Sequence, residues 1–335
     1  HSGVASTTYT VNGGAATSEP QTLTSTGTYQ IVVTTTDNVG LTTTRTYTIK
    51  IDKTLPTVGT MTMKLDSSTG TVTYNNDTWT NHSVYIAVNN GSDAHSGHKT
   101  TTYTVNGGEA TSTAQILDPG DGNTATYTIV VTTEDKSGES YSEAGNKSTH
   151  TYTVKIDKTK PAAGTMSMTV TLDNGTTTEY QNNTWTKQNV NISKVNGSDE
   201  ASGSGHLETR YTVTGEITKA DGTKQAITAI QNQTSAIVLD PGDGNTGVYT
   251  IQVQTEDKSG ESYSEQGNLS DVRTYTVKID KTDPVADTLT MKAGSSSGII
   301  YQDETAISND VYIELKNQAS DILSGVKQTT YNVYY

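Results

Sequence analysis

The sequence predicts an all-β chain of tandem two-sheet sandwich domains, and three observations carry that prediction. Long phrases recur at intervals of about one small domain, apolar and polar residues alternate with a period of two, and the composition is that of half-buried strands.

Recurrence is plainest in Ile51-Asp52-Lys53-Thr54-Leu55-Pro56, which returns as Ile156-Asp157-Lys158-Thr159-Lys160-Pro161 and Ile279-Asp280-Lys281-Thr282-Asp283-Pro284, spaced 105 and 123 residues apart. A solenoid repeat is only about 20 to 50 residues long, so each period is read as a domain. Between the closing phrases, Tyr9-Thr10-Val11 returns as Tyr103-Thr104-Val105, Tyr211-Thr212-Val213 and, altered, Tyr331-Asn332-Val333. Asp118-Pro119-Gly120-Asp121-Gly122-Asn123 is copied as Asp240-Pro241-Gly242-Asp243-Gly244-Asn245, and the run Glu134 to Glu143 as Glu256 to Glu265. His1-Ser2-Gly3 aligns with His95-Ser96-Gly97, in mid-repeat. The expected organisation is a C-terminal half-domain at 1–51, complete domains at 57–156 and 162–279, and an N-terminal half-domain at 285–335. The second complete domain carries an insertion near 215–235. A longer parent protein with further repeats on both sides is expected.

The strands follow from alternation. Tyr29, Ile31 and Val33 share one face, as do Tyr127, Ile129 and Val131, and Tyr249, Ile251 and Val253. In the closing strand Tyr152, Val154 and Ile156 point inward and Lys155 outward, which argues against a self-formed isopeptide crosslink through Lys50, Lys155 or Lys278. No window has the spacing of an amphipathic helix, and Gly, Asn and Asp break the chain about every ten residues. Trp79 and Trp185, before the apolar pairs Val84/Ile86 and Val190/Ile192, are expected as core aromatics between the sheets, with Ile307 at that place in the last copy.

There is no Cys and no Phe, and hydrophobic residues make up 31%, yet the chain holds 19 Tyr and 66 Thr. Thr favours the pleated, half-buried surface of a strand, and solvent-facing Thr rows on twisted strands account for its abundance. A net charge of −14 disfavours nucleic acid and anionic membrane as partners. No stretch approaches the ~18 apolar residues of a membrane span. A domain of about 100 residues buries roughly two thirds of its unfolded surface, enough to fold without disulfides.

The run Gly27-Thr28-Tyr29-Gln30-Ile31-Val32-Val33 followed by Asp37-Asn38-Val39-Gly40, with counterparts ending Asp135-Lys136-Ser137-Gly138 and Asp257-Lys258-Ser259-Gly260, resembles the G-x-Y-x-(I/V)-x-V…D-x-x-G signature of bacterial immunoglobulin-like (BIg-type) repeat domains. The Ile-Asp-Lys-Thr-x-Pro linker and the Tyr-Thr-Val-Asn-Gly-Gly hairpin resemble the same family of cell-surface and extracellular proteins. The resemblance implies immunoglobulin-like sandwiches in an elongated array on the outside of a bacterial cell, acting as a stalk or fibre of an adhesin, filament or surface layer. Its partners would be neighbouring copies of itself, or glycans or proteins of a host or cell surface. The competing readings are a glycan- or protein-binding module using loops such as 215–235, and an accessory region of an extracellular enzyme or phage tail protein.

Two acidic loops carry the best chemical signal. Asp118, Asp121 and Asn123, and again Asp240, Asp243 and Asn245, offer oxygen ligands at short spacing beside glycines, as Ca²⁺ requires. The competing reading is ordinary turn chemistry. The linker aspartates Asp157 and Asp280 are a second place for Ca²⁺, and Glu134, Asp135, Glu139 and Glu143 form another acidic group. His95 and His98 invite a metal reading, but only His206 survives in the related segment. Asp93, His95 and Ser96 are sequence neighbours on one loop and cannot present the separate roles of a hydrolytic triad. No enzymatic activity is expected.

Overall fold

A computed structural model of the chain describes residues 2 to 334 apart from 303, 317 and 322. His1 and Tyr335, the outer limits of the half-domains read from the sequence, lie outside the described residues. The described residues are all-β, with no α-helix and two single 3₁₀ turns, Glu139–Tyr141 and Glu261–Tyr263. They divide into two compact units, one of His1–Thr159 with Ser259–Gln266 and the other of Lys160–Lys258 with Gly267–Tyr335.

The strands of the first unit are β1 (Val4–Val11), β2 (Gly27–Asp37), β3 (Thr42–Ile51), β4 (Thr60–Leu65), β5 (Trp79–Thr80), β6 (Val84–Asn89), β7 (His98–Val105), β8 (Gln115–Leu117), β9 (Thr124–Asp135) and β10 (Lys147–Asp157). They form an antiparallel sheet β1-β2-β3, a sheet β4-β6-β8, and a sheet β5-β10-β9-β7 whose β5-β10 pair alone is parallel. The last two sheets enclose one core. Met63, Leu65, Val84, Ile86 and Leu117 come from one side, and Tyr103, Ile129, Val131, Val154 and Ile156 from the other. Strand β10 has Val154 and Ile156 buried and Lys155 on the outer face, as its alternation predicts. In the β1-β2-β3 sheet the corresponding apolar side remains open, with Tyr47 and Ile49 exposed.

Tight turns follow from residue type. Asn12 and Gly13 (φ 48° and 74°), and Asn106 and Gly107 (φ 50° and 72°), take the left-handed conformations of a type I′ turn, closed by bonds from Gly14 N to Val11 O and Gly108 N to Val105 O. Each Asn also bonds across the ladder: Asn106 N donates to Thr128 O, and Thr128 N donates to Asn106 Oδ1, both at 2.8 Å.

The second unit contains β11 (Thr165–Thr171), β12 (Thr177–Glu179), β13 (Trp185–Thr186), β14 (Val190–Val195), β15 (His206–Thr218), β16 (Lys224–Ala226), β17 (Ile230–Gln233), β18 (Ile237–Leu239), β19 (Thr246–Asp257), β20 (Arg273–Asp280), β21 (Leu289–Ala293) and β22 (Val311–Leu315). Sheets β12-β11-β14-β18 and β13-β20-β19-β15-β16 enclose a core of Met166, Met168, Val190, Ile192, Tyr211, Ile251, Val253, Val277 and Ile279, among others. Tyr127 and Tyr249 hold the same register place, facing Val154 and Val277. The 215–235 insertion is a strand extension as well as a loop. β15 runs on to Thr218 and turns back through Lys219–Thr223, where Gly222 N donates to Lys219 O, so that Glu216 pairs with Ala226.

The two tryptophans do not lie in the cores. In the parallel β5-β10 pair Trp79 faces Lys155 and Thr80 faces Ile156, so the period of two turns Thr80 inward and leaves Trp79 on the lysine side. Lys155 Nζ stands 5.9 Å from the Trp79 ring centroid, and Lys278 Nζ 5.7 Å from that of Trp185. Both indoles are half-buried, and Ile307 in the last copy is exposed. The buried aromatics are tyrosines, chiefly Tyr74, Tyr103, Tyr180 and Tyr211, whose hydroxyls reach backbone carbonyls at the edges of the core.

One polar node sits inside each core. Thr101 Oγ1 and Thr133 Oγ1 lie 3.0 Å apart, accepting Gly91 N at 3.0 Å and Gly59 N at 2.9 Å respectively. Thr209 and Thr255 repeat the node with Gly197 and Gly164. The glycines are required by space: a Cβ on Gly59 would stand 2.2 Å from Asn89 O, and one on Gly91 2.2 Å from Thr57 O.

Candidate functional site

In the first unit three carboxylates from distant parts of the sequence converge. Asp52 follows β3, Asp93 lies on the loop between β6 and β7, and Asp135 ends β9, with one oxygen of each within 4.8 Å of the others. Each is held by local bonds. Asp52 Oδ1 accepts Thr54 N at 3.0 Å and Thr54 Oγ1 at 2.5 Å, and its Oδ2 accepts Ser96 N at 3.0 Å. Asp93 Oδ1 accepts the amides of His95, Ser96 and Gly97 at 2.8 to 3.0 Å, the turn chemistry of an Asp at the head of a tight loop. Asp135, fully buried, accepts Ser137 N and Oγ, Asn146 N and Asn146 Nδ2.

These donors lower the pKa of two of the three carboxyls, Asp52 and Asp135. Burial pushes the Asp52 carboxyl up, but the bonds from Thr54 and Ser96 outweigh it and hold the group down at about 2. The same opposition, with bonds from Ser137 and Asn146 prevailing over burial, leaves Asp135 below its usual range. The result is a compact, all-oxygen, anionic pocket of the chemistry that a hard cation prefers. Part of the arrangement recurs in the second unit. Asp280 Oδ1 accepts Thr282 N, Thr282 Oγ1 and Thr246 Oγ1, and Asp321 Oδ1 accepts the amides of Leu323, Ser324 and Gly325. The Ser324 hydroxyl, counterpart of Ser96, also bonds the buried Asp280 carboxylate and, against the upward push of burial, helps to lower its pKa.

Asp93 and Asp135, both noted in the sequence, belong to the cluster, whereas the two Asp-Pro-Gly loops singled out first lie elsewhere. Asp118 Oδ1 accepts Gly120 N at 2.8 Å and pairs with Lys158 Nζ at 2.9 Å, which, with the Gly120 amide, lowers its pKa. Asn123 turns its Nδ2 onto the carbonyls of Gly120 and Asp121, while Asp121 is exposed. Asp240 pairs with Lys281 at 2.8 Å and accepts Gly242 N and Asn189 Nδ2, Asp243 is 3.6 Å from Lys281, and Asn245 Nδ2 bonds Pro241 O. At each loop a lysine of the following closing phrase supplies the positive charge. Glu134 is bracketed by Lys99 at 2.8 Å and Lys147 at 3.2 Å; these and Gly145 N outweigh burial and hold its carboxyl at about 2. His95 Nδ1 lies 3.1 Å from Thr54 Oγ1 and His98 Nε2 2.8 Å from Thr101 Oγ1, so the two rings serve different neighbours.

Local spacing misses the cluster because its members are about forty residues apart. The available signal is one Asp inside each of three recurring phrases: Ile-Asp-Lys-Thr, Gly-Ser-Asp and Glu-Asp-Lys-Ser-Gly.

No family model matches the chain, and no curated protein matches it. One solved structure, a crystal structure of a tetra-tandem repeat in the extending region of a large adhesion protein, is 13% identical, with 86% of this chain and 70% of that chain covered. Its TM-score is 0.24, which is too low to carry an argument about fold or function. No helix among the described residues is long and apolar enough to cross a membrane.

Proposed function

We propose that this chain is a non-catalytic stalk segment of a bacterial extracellular, adhesin-like protein, built from immunoglobulin-like sandwiches in tandem. The observation that carries the reading is the linker brace. Each Ile-Asp-Lys-Thr phrase folds its Thr back onto the preceding Asp, through both the amide and the hydroxyl, at Asp52/Thr54, Asp157/Thr159 and Asp280/Thr282. A connection that is hydrogen-bonded and followed by Pro has little freedom to bend. Repetition of whole domains with the same brace suits a spacer, whereas an active site normally occurs once. Small-angle scattering tests this. A compact chain of 335 residues has a radius of gyration near 20 Å, and an array should lie well above it. A value at about 20 Å overturns the stalk reading.

In the same reading Asp52, Asp93 and Asp135 hold a Ca²⁺-like ion that stiffens the junction. Their all-oxygen donor set, with one oxygen of each carboxylate within 4.8 Å of the others, fits such an ion. Binding to the folded state alone raises the melting temperature in millimolar Ca²⁺ over that in chelator, and Asp93→Asn removes the increment. Identical curves for the unaltered chain exclude the ion and leave the stalk untouched.

A further inference from the structure

Of the six histidines, two recur at one place in the repeat: His98 opens β7 and His206 opens β15. Each of these strands starts with a β-bulge. His98 faces Asp135 while Thr100 faces Glu134, so Lys99 is the inserted residue, and Thr101 then faces Thr133. His206, Glu208 and Thr209 repeat this register against Asp257, Glu256 and Thr255. The bulge carries residues three apart onto one face, where strict alternation would set them on opposite faces. His98 Nε2 thereby reaches Thr101 Oγ1 at 2.8 Å, and His206 Nε2 reaches Thr209 Oγ1 at 3.0 Å.

Counting hydrogens fixes the direction of these bonds, because a hydroxyl has one hydrogen to give and two lone pairs to fill. Thr133 Oγ1 accepts Gly59 N, and among the described residues the acceptor within reach of its own hydrogen is Thr101 Oγ1. Thr101 Oγ1 then receives two hydrogens, from Gly91 N and from Thr133, and its own hydrogen is left for His98 Nε2. The opposite order would leave the Thr133 hydrogen without an acceptor on a side chain that has no exposed surface. The ring therefore carries its hydrogen on Nδ1 and presents a bare Nε2. In the second unit Gly164, Thr255, Thr209, Gly197 and His206 give the same count.

The Thr101 hydroxyl also ties a loop. Gly91 N and His98 Nε2 stand at the two ends of the segment 91–98, and both meet this one oxygen. Within the segment Asp93 Oδ1 accepts the amides of His95, Ser96 and Gly97, and the Ser96 amide is shared with Asp52 Oδ2. Asp199 lies between Gly197 and His206 in the same way.

We propose that His98 and His206 are latches, positioning residues that act as hydrogen-bond acceptors and hold closed the loops carrying Asp93 and Asp199. At Asp93 this rests on the reading of Asp52, Asp93 and Asp135 as a cation site and deepens it: the latch sets one of the three carboxylates before an ion arrives. The histidine acts through Thr101 and is not itself a ligand. Gln, whose carbonyl accepts a hydrogen bond, should therefore replace it, and Leu should not.

Long-range ¹H–¹⁵N NMR of the unaltered full chain in neutral buffer reads the tautomer, with His98→Gln and His206→Gln assigning the two rings by loss of their signals. Both rings should carry hydrogen on Nδ1 and none on Nε2, and a hydrogen on Nε2 of either overturns the proposal. Hydrogen exchange reads the loop. His98→Leu should speed exchange of the Gly91 and Ser96 amides at least several-fold, and His98→Gln should stay near the unaltered rate. If Leu has no effect, or Gln exchanges as fast as Leu, the latch is refuted. Calorimetric titration with Ca²⁺ should show affinity several-fold weaker in His98→Leu and regained in His98→Gln; equal affinity in all three chains refutes the role at Asp93. An unaltered chain that takes up no Ca²⁺ refutes the ion reading alone, because the ring spectra and amide exchange still decide the latch.

Discussion

Thr101 and Thr133 share a hydrogen bond of 3.0 Å between hydroxyls in a region from which water is excluded, and each hydroxyl also accepts a glycine amide that no neighbouring strand serves. The pair is a polar clamp at the point where two glycine backbones approach the sheet most closely.

Replacing Thr133 by the isosteric Val strands Gly59 N and removes the partner of Thr101. A buried donor without an acceptor costs about 1–3 kcal/mol. Urea unfolding should move to lower midpoint with an unchanged slope, and Thr255→Val should do the same to the second node. An unchanged midpoint would mean that the clamp is dispensable.

Gly91→Ala should be worse than Thr133→Val. The added Cβ would meet Thr57 O at 2.2 Å and Thr133 Oγ1 at 2.7 Å, and the nearer atom is backbone, which cannot step aside as a flexible side chain would. Overpacking of this kind costs about 1–3 kcal/mol or more, added here to loss of the clamp. Gly107→Ala is the contrast, since a Cβ there meets nothing within 4 Å and the change tests only its positive φ. Thermal melts of the two variants give the comparison.

Acid should unfold the chain in a narrow window. Asp52 and Glu134 are both held at about 2, from ordinary values of 3.8 and 4.5. Carboxyls depressed in this way stabilise the fold wherever the unfolded chain is also ionised, and lose that contribution as pH falls from about 4.5 toward 2. Calorimetric melting temperatures should be level between about pH 7 and 5 and drop below it. Glu134→Gln should lower the neutral-pH value and make the descent shallower.

Lys155→Ala should uncover Trp79. The ammonium lies over the indole and pairs with Asp77 at 2.7 Å; a cation over an aromatic ring at such a partly exposed site is worth about 0.5–1 kcal/mol. Acrylamide should quench the fluorescence of the variant more strongly, with a small loss of stability. Equal quenching would show that the lysine stem does not shield the ring.

The strand cores were readable because alternation is a local property: Tyr127, Ile129 and Val131 declare one face whatever they pack against. Trp79 was misplaced because its two-residue strand is too short to display a period, and only its parallel register with Lys155 and Ile156 decides which neighbour turns inward. The insertion hid its strands for a related reason, since Lys224–Ala226 has no apolar pattern and is ordered by pairing with the overrun of β15. Asp118 and Asp240 drew notice by being close together in sequence with other oxygens, yet their partners are lysines some forty residues away. The Asp52, Asp93 and Asp135 cluster is dispersed in the same way, and spacing cannot reveal what only the fold brings within reach.

The glycine amides of the threonine clamps also bear on how the material ages. An Asn followed by Gly is the sequence most prone to cyclise and deamidate, because the unhindered glycine nitrogen attacks the amide carbon of the Asn side chain. At Asn90-Gly91 and Asn196-Gly197 that nitrogen is already committed to Thr101 and Thr209. At Asn106-Gly107 it is the other reactant that is restrained, its side-chain carbonyl held by a hydrogen bond from Thr128 N. With no thiol to oxidise and these amides held in hydrogen bonds, the fold itself slows two common routes of chemical ageing.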